Sequence, residues 1–278
     1  MNTNLTTLVA SLSFLFSAAC SAPPSEATPE STTAASSVEA ASVVESAPEA
    51  PYVLLEAGDA GYVLTTLNSG ATSHVVAVDL SVAGIDTPAI SSALATPGTI
   101  AARGTVRDGG TFVASDLYRA LPSETPAPPA TTYLAHVSDH GADSATEVNE
   151  GKVHAFHVLD VSEAAARDVD QPWLSARVLD GAALVAGSIT SGVLHASTVF
   201  VRLPDAVTCA KSIEACGEGT VPTYTRNANR CLVPSGCERR EMCAMIVPTC
   251  DPGYTRSSWP GAHGCPAFAC DPDFDPAP

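Results

Sequence analysis

The chain has 278 residues, with 30 acidic and 13 basic side chains and a formal net charge of −17. That balance excludes a phosphate-tracking nucleic-acid surface and a polybasic patch for lipid headgroups. Nine cysteines, eight of them between Cys209 and Cys270, are a density found in oxidised, exported proteins. From residue 52 onward there is chain for two or three small domains rather than one large core.

Residues 1–20 read as a signal peptide. Leu8–Phe16 is apolar but too short to span a bilayer, which takes roughly 20 apolar residues. It runs into Ser17-Ala18-Ala19-Cys20, and a short apolar stretch ending in small residues is a secretory signal. Small residues followed directly by cysteine resemble the lipobox of bacterial lipoproteins. The resemblance implies cleavage before Cys20, acylation of its thiol and amine, and attachment to a lipid bilayer. Several acyl chains anchor stably where one does not. Ser21 after the cysteine implies outer-membrane sorting. The alternative is ordinary cleavage near Ala19 and a soluble secreted protein.

Residues 21–51 carry five Glu, no basic residue and no aromatic one. Such a segment buries too little apolar area to offset its ordering entropy, so it is predicted to be a disordered Ser/Ala/Pro/Glu tether.

The middle of the chain repeats. Tyr52-Val53-Leu54 is answered by Tyr133-Leu134-Ala135, and Val78-Asp79-Leu80-Ser81 by Leu159-Asp160-Val161-Ser162. Gly104-Thr105-Val106 meets Gly187-Ser188-Ile189, and Tyr118, Leu121 and Pro122 meet Phe200, Leu203 and Pro204. Two homologous modules, 52–122 and 132–205, are therefore predicted, joined by a proline-rich linker at 123–131. Within the first, Tyr62–Leu67, His74–Leu80, Thr99–Val106 and Thr111–Leu121 have strand composition and turn-forming flanks. A short helix is expected within Ala83–Ala95, with its counterpart at Glu163–Asp168 or slightly longer. The order β-β-β-α-β-β is that of an OB-like barrel, the preferred reading of a mainly β chain; a β-sandwich is the alternative.

This pattern also looks like an uncharacterised domain family of exported lipoproteins from myxobacteria and similar predators. The residues that carry the likeness are Gly61-Tyr62-Val63-Leu64, Leu67-Asn68, His74–Ser81 and Ala102-Arg103-Gly104. The resemblance implies export and little about activity.

Residues 206–278 form a duplicated cysteine region: Cys209-x6-Cys216-x14-Cys231-x5-Cys237, then Cys243-x6-Cys250-x14-Cys265-x4-Cys270. Units this small need staples, and a bridge closing roughly 15 residues contributes about 3 kcal/mol. All eight cysteines are expected in disulfides. If each unit pairs within itself, three connectivities are open to each. Zinc is disfavoured, because no Cys-x2-Cys knuckle is present. The second unit faintly resembles antistasin-type repeats of protease inhibitors, through Cys250-Asp-Pro-Gly253-Tyr254 and Gly264-Cys265, although Phe268 stands where the penultimate cysteine would be. That likeness implies inhibition through an exposed loop such as Tyr254–His263.

For a metal, His136, His140 and His154 are the candidates, with His157, Asp139 and Asp143 nearby, and scattered surface histidines are the preferred reading. Asp271, Asp273 and Asp275 alternate like a calcium loop, but Pro276 replaces the glycine its turn needs, so an acidic tail is expected there. No Gly-x-Ser-x-Gly, Ser-x-x-Lys or His-Glu-x-x-His pattern occurs, and no catalytic residue or cofactor is predicted. Trp173 and Trp259 are read as packing anchors. The expectation is a non-catalytic binding or structural protein of the cell envelope, with a protein or glycan partner and no nucleic acid. The alternatives are a protease inhibitor built on the cysteine repeats, and a metal-binding protein or divergent enzyme using the module 2 histidines.

Overall fold

The structure, a computed structural model, describes residues 49–123, 132–139, 142–166, 168–205, 208–211, 214–244 and 246–274, with backbone alone at 136–139 and 142. The signal peptide, Cys20, almost all of the tether and most of the linker lie outside the described residues.

In the first module β1 (Tyr52–Gly58), β2 (Gly61–Thr66) and β3 (Thr72–Val75) form an antiparallel meander. Along β1 the pleat alternates as the sequence does: Val53 and Leu55 are buried, Tyr52, Leu54 and Glu56 only partly. One residue, Val76, separates β3 from β4 (Ala77–Asp79), so a single bent strand serves two partners. Its first half pairs with β2, and its second half pairs in parallel with β6 (Thr111–Ala120). With β5 (Ile100–Arg107) between β6 and β1, the hydrogen-bonded ring closes. This is the five-stranded Greek-key barrel of the OB fold, and the sandwich alternative falls away. Between β4 and β5 a 3-10 turn at Thr87–Ile90 leads into helix α1 (Ser91–Leu94); the turn contributes Ile90 and the helix Ala93 and Leu94 to the core.

The second module repeats the plan with β7 (Thr132–Asp139), β8 (Ala142–Glu147), β9 (Val153–Ala155), β10 (Val158–Asp160), β11 (Ala183–Thr190) and β12 (Val193–Leu203). Here too the strand broken between β9 and β10 pairs with β8 and then in parallel with β12. Its helix differs from expectation. Helix α2 is Gln171–Leu179, and the described part of Glu163–Asp168 forms a turn closed by Ala164 N donating to Val161 O at 3.1 Å. The sequence dictates the later start: Asp170 caps α2 by accepting from Trp173 N at 3.2 Å, and a proline in the first turn lacks a donor the helix would leave unused.

Two repeated motifs acquire a physical reason. Gly104 and Gly187 sit at bulges in the β5–β6 and β11–β12 ladders. A Cβ at either would stand 2.2 Å from Val113 O or 2.0 Å from His195 O, so only glycine fits. At the ends of β4 and β10, Asp79 and Asp160 each accept from the hydroxyl and backbone N–H of the serine two residues on. The Ser81 and Ser162 hydroxyls, foremost, hold both carboxyls below the usual aspartate range.

The barrels are joined by antiparallel pairing of β6 with β12, which makes one continuous sheet of twelve strands. Arg119 lies opposite Val201, its own counterpart in the repeat, so this pair sits on a local two-fold axis. Residues on either side obey it. Asn68 donates through Nδ2 to Tyr133 O and Val148 O at 3.0 and 2.8 Å and accepts from Tyr133 N at 2.8 Å. Asn149, its counterpart, donates to Tyr52 O and Leu67 O at 2.7 and 3.1 Å and accepts from Tyr52 N at 2.8 Å. Both asparagines have φ 64, a left-handed conformation that Asn tolerates better than most residues. Between the barrels Leu67, Tyr118, Val148 and Phe200 form a second small core. Asn149→Ala removes three hydrogen bonds between the modules and should lower stability by about 3 kcal/mol, read from the urea midpoint. A loss under about 1 kcal/mol would show that the joint does not depend on this side chain.

Candidate functional site

The cysteine region folds as two hairpins. β13 (Thr220–Arg226) pairs with β14 (Leu232–Arg239), and β15 (Tyr254–Pro260) with β16 (Pro266–Pro272). Each hairpin is stapled by its own two bridges, Cys209–Cys231 with Cys216–Cys237, and Cys243–Cys265 with Cys250–Cys270. Both units therefore use the same connectivity, first cysteine to third and second to fourth. Spacing alone left three possibilities for each. The Tyr254–His263 segment, expected as an exposed loop, is strand β15 paired along its length, followed by a 3-10 turn.

The second hairpin is built into the barrels. Val169, just before α2, forms a parallel bridge with Cys270, and Cys270 N donates to Asp168 O at 2.9 Å. Tyr254, Cys270 and Phe274 belong to the main apolar core. Burial pushes the Tyr254 phenol up to about 12, and its hydroxyl donates to Pro122 O at 2.9 Å.

Three arginines and three aspartates join the first hairpin to module 2 and to the second hairpin. Asp205 accepts from Arg177 Nε at 2.6 Å, Trp173 Nε1 at 3.0 Å and Arg230 Nη2 at 2.9 Å. Arg226 Nη2 donates to Asp271 Oδ2 at 2.7 Å, and Arg226 Nη1 faces Asp170 Oδ2 at 3.4 Å. The Arg230 guanidinium lies 4.6 Å from the Trp173 ring centre, and that of Arg226 lies 5.3 Å from the centre of Trp259. The cluster is neutral by count, as burial of charge requires. Asp271 thus belongs to a buried network and Asp273 accepts from Thr255 Oγ1 at 2.6 Å, which corrects the expectation of a loose acidic tail at these two positions. Asp275 lies outside the described residues.

A cleft of about 500 Å³ opens where α2 meets the two hairpins, within the usual range of ligand sites of roughly 300–1,000 Å³. Val169, Asp170 and Arg226 line it from module 2 and β13; Tyr224, Trp259 and Phe268 supply aromatic surface; Gln171 and Thr225 are exposed beside it. Asp170 Oδ2 and Arg226 Nη1 are buried and have no hydrogen-bond partner. Their side chains are only 6% and 9% exposed. Trp173 is fully buried as a packing anchor should be, whereas Trp259 is partly exposed in the cleft.

The histidine candidates do not converge in what is described. His136 lies opposite Ala145, which in turn lies opposite His154, so the two positions are two strands apart, roughly 10 Å at ordinary strand spacing. His154 Nε2 is 2.6 Å from Glu147 Oε1 and holds that carboxyl below its usual range. The His157 ring packs over Gly192, and His140 lies outside the described residues. Among the described residues no three potential ligands gather.

Arg226, Asp170 and Gln171 were not singled out by sequence. Arg226 lies 56 and 55 residues beyond Asp170 and Gln171, and although Asp170 heads a helix-capping pattern, nothing local ties it to Arg226. Trp259 was marked only as one of two tryptophans.

Peptide mapping without reduction should recover the four bridges above; any crosslink between the two units would overturn the repeated connectivity. Arg226→Ala should destabilise the protein by about 3–5 kcal/mol, because it leaves Asp170 and Asp271 buried without their cation. Denaturant unfolding reads this, and a loss under about 1 kcal/mol would place the pairing energy elsewhere.

No family model matches the chain, and no solved structure matches it. An uncharacterized protein of Dictyostelium discoideum is 35% identical over 133 residues, which covers 44% of this chain and 46% of that protein. The chain thus spans about half the length of the curated relative it matches.

Proposed function

We propose that the chain is an exported, non-catalytic binding protein of the cell envelope, held to a lipid bilayer through acylated Cys20. The partner, a protein or glycan of the envelope, docks at the cleft between α2 and the cysteine hairpins. The observation that carries the binding role is a cleft of ligand size lined by Tyr224, Trp259 and Phe268, with the exposed Gln171 and Thr225 beside them. Aromatic surface with a few polar side chains in a concave site is the usual lining of a ligand pocket. The charged groups of the cleft are held by one another, which suits a fixed recognition surface better than a group that must exchange protons.

Four disulfides are consistent with an extracellular or exported protein. The outer-membrane assignment and the anchor rest on the signal peptide and Cys20, and a lipoprotein tether at 21–51 fits the same reading. Acyl labelling of the expressed protein should vanish in Cys20→Ala and the chain should leave the membrane fraction; retention there would overturn the anchor. Mature protein should bind intact cells or envelope fractions, and Ala262→Trp, an exposed cleft position, should abolish that binding. Unchanged binding by this variant would overturn the cleft as the binding site.

A further inference from the structure

We infer that the cleft takes an extended, basic segment of a partner protein, which adds as a short strand to the edge of β16 at Phe268. The inference rests on the cleft being the binding site, and it names the partner as a protein.

β16 pairs with β15 along one edge. Along its other edge, among the described residues, it meets Val169 alone, in a single bridge at Cys270. Cys270 N donates across that edge to Asp168 O at 2.9 Å, so the Cys270 backbone faces away from β15. Backbone groups alternate between the two edges of a strand with a period of two. The N–H and C=O of Phe268 therefore face the same way as those of Cys270. Pro266 and Pro272 share this phase, and proline is tolerated in a strand where its missing N–H would point outward. Phe268 is left with the one outward N–H of β16 that the described chain does not use.

Module 2 does not go on to fill this edge. Val169 N donates to Ala166 O at 3.1 Å, closing a turn where a pairing strand would run straight on. Helix α2 then begins at Gln171. Asp168 to Pro172 and Ala267 to Ala269 both line the cleft, so the unused edge opens into it.

An open strand edge is a template for another strand. A peptide backbone offers N–H and C=O groups at the matching repeat, and its alternate side chains reach the neighbouring surface. A saccharide has no such repeat. Trp259 lies opposite Ala267 and is partly exposed, so the small side chain beside it leaves its ring open to an apolar residue of the segment. The prolines at 266 and 272 keep the added strand short. Charge sets its sign. Arg226, the one cation among the described lining residues, donates to Asp271 at 2.7 Å and faces Asp170. Asp168 is exposed in the lining, and the chain as a whole carries −17. Lysine or arginine in the segment is favoured over aspartate or glutamate.

The probe is a phage-displayed library of random linear octapeptides, selected on mature protein and counter-selected on Ala262→Trp. Peptides rich in β-branched and basic residues should be enriched. Each is then synthesised with every amide N-methylated in turn and its affinity measured by calorimetry. Methylation of alternate amides should weaken binding at least about tenfold, because those N–H groups meet the edge, while the amides between them tolerate it. Replacing the basic residue by glutamate should weaken binding roughly two- to fivefold. Phe268→Pro removes the outward N–H without touching the bonds to β15, and should weaken binding at least about tenfold with all four bridges formed. The methylation series uses the unaltered protein, so it decides the matter even where Phe268→Pro disturbs the hairpin.

No enriched peptide, a response to methylation without alternation, or a preference for acidic peptides would overturn the inference. If envelope binding is nevertheless lost in Ala262→Trp, the cleft stands and only the added strand falls. If envelope binding survives in that variant, the cleft reading itself fails.

Discussion

The pairing of β6 with β12 is the contact on which the remaining architecture rests. Each of these strands closes its own barrel by accepting the far half of a bent strand, and each also needs a partner on its outer edge. Joining the two edges to one another satisfies both at once and leaves no open ladder between the barrels. The pairing falls on equivalent residues of the repeat, with Arg119 opposite Val201, so every stabilising device near it occurs twice. The Asn68 and Asn149 side chains are the clearest case: each stitches the first strand of the other module to the turn beside it.

The cysteine hairpins depend on that frame in turn. Residues 208–274 are too few to bury a core of their own, and disulfides alone do not supply one. The second hairpin lends Tyr254, Cys270 and Phe274 to the barrel core, while the first is held by the arginine–aspartate cluster around Asp205 and Asp271. Both attachments converge on α2 and the chain just before it. That helix is the longer of the two module helices, and it brings Asp170, Trp173 and Arg177 to the contact. The first module's helix has four residues, Ser91–Leu94, with neither a tryptophan nor an arginine among them, and only one end of the two-fold pair carries a cysteine region.

Much of the fold was legible in the sequence because the information is local and repeated. Strand composition, the glycines at 104 and 187, the Asp-x-Ser pairs and the doubled cysteine spacing each occur twice at a near-constant offset, and each has a structural cause. The helix of module 2 was placed at Glu163–Asp168 as the counterpart of Ala83–Ala95, but the Asp170 cap and the proline after it set its start at Gln171. The cleft was not legible at all. Its residues come from 168–172, 224–226 and 259–269, and their meeting depends on how two hairpins dock, which no periodicity encodes. Asp271 read as tail for the same reason: its partner Arg226 is 45 residues away.

The connectivity of the bridges also decides what happens when the backbone is cut. First-to-third and second-to-fourth pairing means that every peptide bond from Cys209 to Cys237 is spanned by at least one bridge, and those between Cys216 and Cys231 by two. The same holds from Cys243 to Cys270. A protease that nicks either hairpin therefore releases no fragment, and the severed ends stay in place to be held by the sheet. Only the stretch from Glu238 to Met242 lacks such cover, and Met242 there is fully exposed. A cut at that point would divide the two units covalently while each remained internally locked, so damage is confined to a single seam.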